Sequence, residues 1–383
     1  MSQRTYNKIV VASDSFKGSL SSLDVAEAAA MAINKVCPEC DVVKVDVADG
    51  GEGTMDALRG TLGGEKITIE VSDPLGRPIR ASYVVLDDGL TAVIEMATAS
   101  GLPLLAVSER NPLKTSTYGT GQLIADALDR GCRKFLVGIG GSATNDAGLG
   151  MLQALGVRFF DAEGNLLQGK GESLEFVQAI DRSSLYGGLK DSEFIVACDV
   201  DAPLYGPKGA AYVFAPQKGA DHDMVRQLDM GLKHFAGNVF SCNMTSGDFS
   251  HNPGAGAAGG LGFGFIAFLN ARLERGIEMV LDAIGFDSII AGADLIITGE
   301  GRVDSQTLTG KTPFGVLQRA KKQGIPVAAI GGSVTLDPQT ALDAGFVGVY
   351  AVTPAGMPLE TAMRPEVAAE NICNTVRNIL VYE

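Results

Sequence analysis

The sequence has few of the features that mark several large protein classes. It contains only three histidines, His222, His234 and His251, so neither a Ser-His-Asp triad nor a histidine metal site is predicted. The net charge is −14 and no run of Lys and Arg is present, which argues against nucleic acid as the main partner. No uncharged apolar span approaches the ~20 residues that a membrane helix needs, so no membrane partner is expected.

The six cysteines form no recognisable metal or disulfide framework. Only CPEC, at residues 37–40, has close spacing, and a zinc ribbon would need a second pair. A turn between a helix and a strand is favoured over a redox motif at this place. The cysteines are scattered, which predicts a reducing compartment, and the N-terminus does not resemble a signal peptide. We therefore expect the protein to be cytoplasmic.

Glycine is abundant and unevenly placed. The chain has 383 residues, 46% of them hydrophobic, so two domains of ~100–200 residues are expected. Its 49 glycines cluster in short loops after apolar runs. Glycine in such loops lets the backbone adopt unusual angles or approach a ligand closely.

Strand and helix patterns alternate at both ends of the chain. Residues 8–13, 21–36, 41–49 and 53–62 read as strand, helix, strand and helix, and a similar alternation returns after residue 290. The middle contains consecutive strands around the turn DPLGRP (73–78), which indicates a local antiparallel element. We predict an α/β protein with one parallel-sheet domain built from residues 1–68 and 290–383, and an inserted α/β domain at 69–289.

Acids, cations and glycines follow several predicted strands, at the end where ligands bind in parallel sheets. The loops are DSFKGSLS (14–21), DGGEGT (49–54), GGSATNDAG (140–148), DVDAPLYGPKGA (199–210) and GEGRVDSQTLTGK (299–311). Phosphoryl transfer needs this combination of phosphate donors, carboxylates for Mg²⁺ and a proton acceptor.

No known nucleotide motif accounts for these loops completely. Gly171 stands where the P-loop hydroxyl should be in residues 164–171, and Ser305 replaces the first glycine ahead of Gly310 and Lys311. GIGGSA (138–143) does match a dinucleotide fingerprint, with Asp161 about 20 residues further on. An NAD-dependent dehydrogenase therefore stays open on the residues alone.

Taken together and in order, the loops resemble those of the bacterial glycerate kinase family. The matching stretches are DSFKGSL (14–20), ADGGEGT (48–54), DPLGRP (73–78), TYGTGQLI (117–124), GIGGSATNDAGLGML (138–152), DVDAPLYGPKGA (199–210), APQKGA (215–220), GAGAAGGLGFG (254–264) and ADLIITGEGRVDSQT (293–307). Ser13 departs from the family, which usually has proline there. The resemblance implies ATP-dependent phosphorylation of D-glycerate, usually on its 2-hydroxyl, and a Rossmann- or flavodoxin-like domain with a second α/β domain inserted.

The roles of individual residues are predicted from the chemistry of that reaction. Asp199 is expected to be the base, with Asp201 as its competitor, and Lys17 and Arg302 are the other predicted catalytic residues. The predicted substrate ligands are Ser15, Lys17, Gly18 and Arg77. The predicted nucleotide or phosphate ligands are Gly140, Gly141, Ser142, Asn145 and Lys218, and the predicted Mg²⁺ ligands are Asp49, Glu52 and Asp304.

Other functions stay open besides a glycerate 2-kinase. The acceptor could be the 3-hydroxyl of glycerate or another small hydroxy acid. A non-catalytic hydroxy-acid sensor would be expected to lack the carboxylates in the loops, and here they are present. The expected partners are therefore D-glycerate and ATP with Mg²⁺, and a homo-oligomer is allowed.

Overall fold

A computed structural model describes residues 6–242 and 247–382 of the protein. Its strands are β1 (Lys8–Ser13), β2 (Asp41–Asp46), β3 (Glu65–Ser72), β4 (Pro78–Val85), β5 (Thr91–Glu95), β6 (Lys134–Gly138), β7 (Arg158–Phe160), β8 (Ala179–Asp181), β9 (Glu193–Ala197), β10 (Arg272–Glu274), β11 (Leu295–Val303), β12 (Val327–Val334) and β13 (Gly348–Ala351).

Helices alternate with these strands over much of the chain. They are α1 (Ser22–Val36), α2 (Thr54–Leu62), α3 (Ala97–Ser100), α4 (Tyr118–Asp129), α5 (Leu149–Ala154), α6 (Ala210–Phe214), α7 (His222–Ser241), α8 (Ala257–Leu269), α9 (Gly276–Ala283), α10 (Phe286–Ile289), α11 (Thr312–Lys322), α12 (Pro338–Ala344), α13 (Leu359–Ala362) and α14 (Pro365–Tyr382). None of the described helices combines the length and apolar composition needed to cross a membrane.

The chain divides into two compact units. The first unit comprises the residues up to Asp49, Asp56–Thr61 and the residues from Val280 onward, and the second comprises Gly50–Met55 and Leu62–Met279. Both ends of the chain thus contribute to the first unit. The domain boundaries predicted from the sequence, at residues 68 and 290, stay a prediction, because compact units defined by contacts need not coincide with domains.

The first unit is built on a parallel sheet with the strand order β13-β12-β11-β1-β2. Its inner strand β1 is apolar and almost wholly buried, as expected for a parallel strand covered on both faces. The helices α1 and α14 pack on this sheet through Val25, Ile33, Ile372 and Val376, which are all buried. Burial of each such side chain stabilises the fold by about 1.5–3 kcal/mol.

The connections of this sheet reverse direction at β1. From β1 the chain moves outward to β2, whereas from β11, on the other side of β1, it moves outward to β12 and β13. Ligands of open α/β sheets bind beyond the carboxyl ends of the strands at such a reversal. The loops that follow β1 and β11 are therefore the places in this unit where a ligand is expected.

The second unit contains a mixed sheet with the order β10-β9-β6-β5-β4-β3. Strands β3 and β4 are antiparallel, as the turn at residues 73–78 predicts, and Asp73 closes this turn by accepting the amides of Leu75 and Arg77. Strand β3 begins at Glu65 and pairs with β4 in this sheet. The predicted domain boundary places residues 65–68 in the other domain. No proline- or serine-rich linker marks the change of sheet.

Local signals at the start of the chain are borne out. Ser21 and Asp24 form a capping box at α1, which agrees with the predicted serine-rich helix start. Residues 37–40 form the turn between α1 and β2, and the amide of Cys40 donates to the carbonyl of Cys37 at 3.1 Å. All six cysteines are free thiols.

Candidate active site

A cavity of about 360 Å³ lies in the first unit, where β1 and β11 end. Asp14, Ser15 and Lys17 reach it from the loop after β1, and Asp49 from the segment after β2. Glu300, Arg302 and Lys311 reach it from the end of β11 and the loop that follows. The cavity has the size of a small-molecule site and occupies the position that the strand order predicts.

Two buried carboxyl groups form the floor of the cavity. Asp14 accepts the amide of Ser15 at 2.6 Å and the hydroxyl of Thr312 at 3.2 Å. Burial, together with the neighbouring charge of Asp49, raises the pKa of Asp14 to about 6. Glu300 accepts the hydroxyl of Thr307 at 2.6 Å, and burial raises the pKa of its carboxyl as well. A cation bound between such groups would stabilise their ionised forms.

Three cationic side chains face the same space. The side chain of Lys311 lies 3.5 Å from Glu300, and that of Arg302 lies 3.2 Å from Asp304. The side chain of Arg302 is 67% exposed and Lys17 is also exposed, so both can contact an anion that enters the cavity.

Sequence reasoning identified only part of this cluster. Ser15, Lys17, Asp49 and Arg302 were predicted site residues, and the structure places them together around the cavity. Asp14, Glu300 and Lys311 were noticed in the loops and given no site role. Their position at the ends of neighbouring strands is the signal that could have identified them. The predicted ligand Gly18 follows Lys17 with φ +77°, beside the side chain of Met363.

Asp14 gives the stability of the protein a testable pH dependence. Its pKa is higher in the folded protein than the 3.8 of the free side chain, so between pH 4 and 6 the folded state binds more protons than the unfolded chain. Stability should therefore fall as pH rises through this range. Between pH 5 and 8, in EDTA, the wild type should lose roughly 1 kcal/mol more unfolding free energy than Asp14→Asn. Urea titrations of the two proteins measure this difference, and parallel pH profiles would refute it.

The glycine-rich loop after β6 lies in the second unit. Gly140 and Gly141 are exposed, whereas Ser142 is buried. The ammonium of Lys218 donates to the hydroxyl of Ser142 and to the carbonyl of Thr144, both at 2.6 Å. Lys218 is only 1% exposed, and burial lowers its pKa to about 7. In this structure Lys218 thus holds the loop in place.

Asn145 and Asp146, which lie just before α5, have different surroundings. Asp146 is fully buried and accepts the amides of Thr117, Gly148 and Gly150, the last of which lies in the first turn of α5. The side chain of Asn145 is also buried, and within the described part of the chain neither of its polar atoms has a hydrogen-bond partner. An unpaired buried amide costs about 1–3 kcal/mol. The amide of Gly150 in the first turn of α5 is already bonded to Asp146, so it is not available to an anion.

Close backbone packing fixes the far side of this loop. Gly259, with φ +75°, approaches the carbonyl of Thr144 so closely that a Cβ atom would lie 2.1 Å from its oxygen. Only glycine can occupy this position without displacing the loop. The glycine-rich run at 254–264 thus has a packing function in the second unit.

The expected base, Asp199, follows β9 in the second unit. Its carboxylate accepts the amide of Gly276 at 3.0 Å, and Arg275 donates to its backbone carbonyl at 2.7 Å. Asp201 forms an ion pair with Arg275 at 3.3 Å. Both aspartates are exposed, and within the described part of the chain a backbone amide donates to the carboxylate of Asp199 but not to that of Asp201. This difference favours Asp199 as the carboxylate with a defined orientation.

The predicted carboxylate ligand Arg77 already has two acidic neighbours. Its guanidinium donates to Asp73 and to Glu109, each at 2.6 Å. Asp161, the acid of the dinucleotide fingerprint, lies in a turn and accepts the amides of Glu163 and Asn165. The carboxylate of Asp161 is thus used within its own turn, which weakens the dehydrogenase interpretation.

The predicted Mg²⁺ ligands do not form one cluster. Asp49 lines the first-unit cavity, Asp304 pairs with Arg302, and Glu52 lies on an exposed turn of the second unit. Among the described residues, no group of three or more acidic, histidine or cysteine side chains is arranged to hold a metal. In kinases Mg²⁺ is held by one or two carboxylates together with phosphate oxygens and water. Asp49, beside Asp14, fits that smaller requirement.

Comparison with known proteins gives one consistent result. The family model described as the glycerate kinase family matches residues 9–382. A glycerate kinase of Bacillus subtilis (strain 168) is 49% identical over 97% of this chain and 96% of its own length. A glycerate 2-kinase of Escherichia coli (strain K12) is 45% identical, with 97% of each chain covered. A crystal structure of a proposed glycerate kinase 2 from Salmonella typhimurium LT2 superposes with a TM-score of 0.89, at 44% identity and 98% coverage of both chains.

Proposed function

Because the chain belongs to the glycerate kinase family, we propose that it transfers the γ-phosphoryl group of ATP to the 2-hydroxyl of D-glycerate, giving 2-phosphoglycerate. The observation that carries this proposal is the 45% identity to a glycerate 2-kinase over 97% of both chains. The cluster of cations and carboxylates in the first-unit cavity supplies the charges that phosphoryl transfer requires.

Catalysis of this reaction depends on positioning and on charge. Negative charge is spread over the oxygens of the transferred group, and fixed cations that face it lower the barrier. We assign this function to Lys17 and Arg302, which face the first-unit cavity and are exposed to it. Lys311, held beside Glu300, adds a third positive charge on the same side.

The acceptor hydroxyl needs a group that takes its proton. We assign this role to Asp199, because its carboxylate is exposed and accepts the amide of Gly276, which gives it a defined orientation. Asp201 is the competing candidate, and its carboxylate forms an ion pair with Arg275.

Mg²⁺ would neutralise phosphate charge when bound, and we propose Asp49 as its protein ligand, with Asp14 next to it. Glu52 and Asp304 stay predicted ligands. Arg77 stays a predicted ligand of the glycerate carboxylate, and its two ion pairs would have to rearrange for that purpose.

The remaining predicted ligands lie in the loop after β1, in the loop after β6, and at Lys218, which packs against the latter loop. Ser15 and Gly18 were expected to bind glycerate, whereas Gly140, Gly141, Ser142, Asn145 and Lys218 were expected to bind the nucleotide. ATP and glycerate are both anionic, so charge alone does not distinguish the two loops. We also infer a cytoplasmic protein from the scattered free thiols, without a nucleic-acid partner at this net charge.

Phosphoryl transfer from γ-labelled ATP to D-glycerate in a single turnover tests this function. We expect label in the organic acid with D-glycerate and much less with L-glycerate or with other small 2-hydroxy acids. Better transfer to another hydroxy acid would make that compound the substrate. Absence of transfer to every acceptor, from protein shown to be folded, would refute the kinase function.

A further inference from the structure

The first-unit cavity has an apolar wall that the proposed chemistry has not used. Val352, Leu359, Ala362 and Met363, here called the apolar wall, line the cavity from the segment between β13 and α14. Phe16 adds a buried aromatic ring from the loop after β1. The charged groups of Lys17, Glu300, Arg302 and Lys311 line the same cavity, so a ligand there would meet both a polar and an apolar surface.

Two members of the apolar wall are unusually accessible. Leu359 is 72% exposed and Met363 is 36% exposed, although both are large hydrophobic residues. The side chain of Met363 also lies against Gly18, directly after Lys17. A ligand that covered these side chains would gain free energy from the apolar area that it removed from water.

D-Glycerate has little apolar surface to offer to such a wall. Each of its three carbons carries a carboxylate or a hydroxyl group, and its volume is far below the 360 Å³ of the cavity. A purine nucleotide has two apolar faces on its base and a polyphosphate chain at its other end. In the cavity, the apolar wall can contact the base, and the cations together with the carboxylate pair can bind the polyphosphate chain with its metal ion.

We propose that the apolar wall binds the base of ATP, so that the first-unit cavity is the nucleotide site of the proposed kinase. The phosphates then extend toward Lys17, Arg302 and Lys311. Ser15 and Gly18, predicted as glycerate ligands, become nucleotide ligands under this assignment. Glycerate is left to residues of the second unit, which include Asp199 and Arg77.

Isothermal titration calorimetry with Mg-ADP, Mg-pyrophosphate and D-glycerate tests this assignment. Leu359→Asn should weaken Mg-ADP binding about fivefold, because it replaces an apolar contact by an amide that must lose water. Binding of Mg-pyrophosphate, which has no base, should be unchanged. Leu342→Asn is the matched control, because Leu342 is 49% exposed in the same unit and does not line the cavity.

Each alternative result would overturn the assignment. Undetectable binding of Mg-ADP to the wild type, unchanged Mg-ADP binding in Leu359→Asn, or equal weakening of Mg-ADP and Mg-pyrophosphate would exclude a base on the apolar wall. Weakened binding of D-glycerate alone would identify the cavity as the acceptor site. The assignment of the nucleotide site rests on the proposed kinase function. Phosphoryl transfer to D-glycerate by the wild type is measured separately, so failure of the site assignment can be distinguished from failure of the kinase function.

Discussion

Lys17→Met is expected to lower kcat for D-glycerate phosphorylation by about 10²–10³-fold, the usual cost of removing one donor that stabilises charge in a transition state. Lys17 is exposed within the cavity that holds the carboxylates Asp14 and Asp49. Methionine keeps most of the length and apolar contact of the lysine stem and removes only the ammonium group. The lost charge should therefore appear mainly in kcat.

The control for this variant is Lys322→Met, which removes an exposed lysine at the end of α11 in the same unit. Both variants reduce the positive charge of the protein equally, so a general electrostatic effect would change both. Steady-state assays at saturating ATP and D-glycerate give the comparison. A Lys17→Met enzyme within threefold of the wild type would exclude Lys17 from a role in transition-state stabilisation.

Asp199→Asn should reduce kcat by about 10²–10⁴-fold if Asp199 takes the proton of the acceptor hydroxyl. The amide oxygen of asparagine can still accept the amide of Gly276, so the local structure should be preserved. The variant thus removes basicity with little change of shape. Its melting temperature should stay close to that of the wild type.

Asp201→Asn is the informative comparison, because this neighbour was the competing candidate. It would release Arg275 from one ion pair, and we expect a change in kcat of no more than a few fold. A larger loss of kcat in Asp201→Asn than in Asp199→Asn would identify Asp201 as the base. Near-normal turnover in both variants would remove the proton-acceptor role from this loop altogether.

Much of the fold was predictable because its signals are local. The apolar run at 8–13, the capping residues Ser21 and Asp24, and the turn at residues 73–78 each specify structure within a few residues. The assignment of β3 to the second sheet depends on its pairing with β4. Residues 65–68 carry no local sequence signal that predicts which of the two sheets they join.

The site was predictable only where it follows the ends of strands. The loop after β1 and the end of β11 converge because their strands are neighbours in a parallel sheet, a relation that the alternating pattern implies. Leu359 and Met363 follow a different strand, and no motif connects them to Lys17. The burial of Lys218 could not be predicted either, because a lysine followed by a glycine suggests a phosphate ligand until its neighbours in the fold are known.

The position of the new phosphate tests the central claim most directly. The purified protein would be incubated with Mg-ATP and D-glycerate, and the product would be examined by ³¹P and ¹H NMR. We predict a phosphorus coupled to the single proton on carbon 2, which identifies 2-phosphoglycerate. Coupling to the two protons on carbon 3 would show a 3-kinase, and no phosphorylated glycerate from folded protein would contradict the account as a whole.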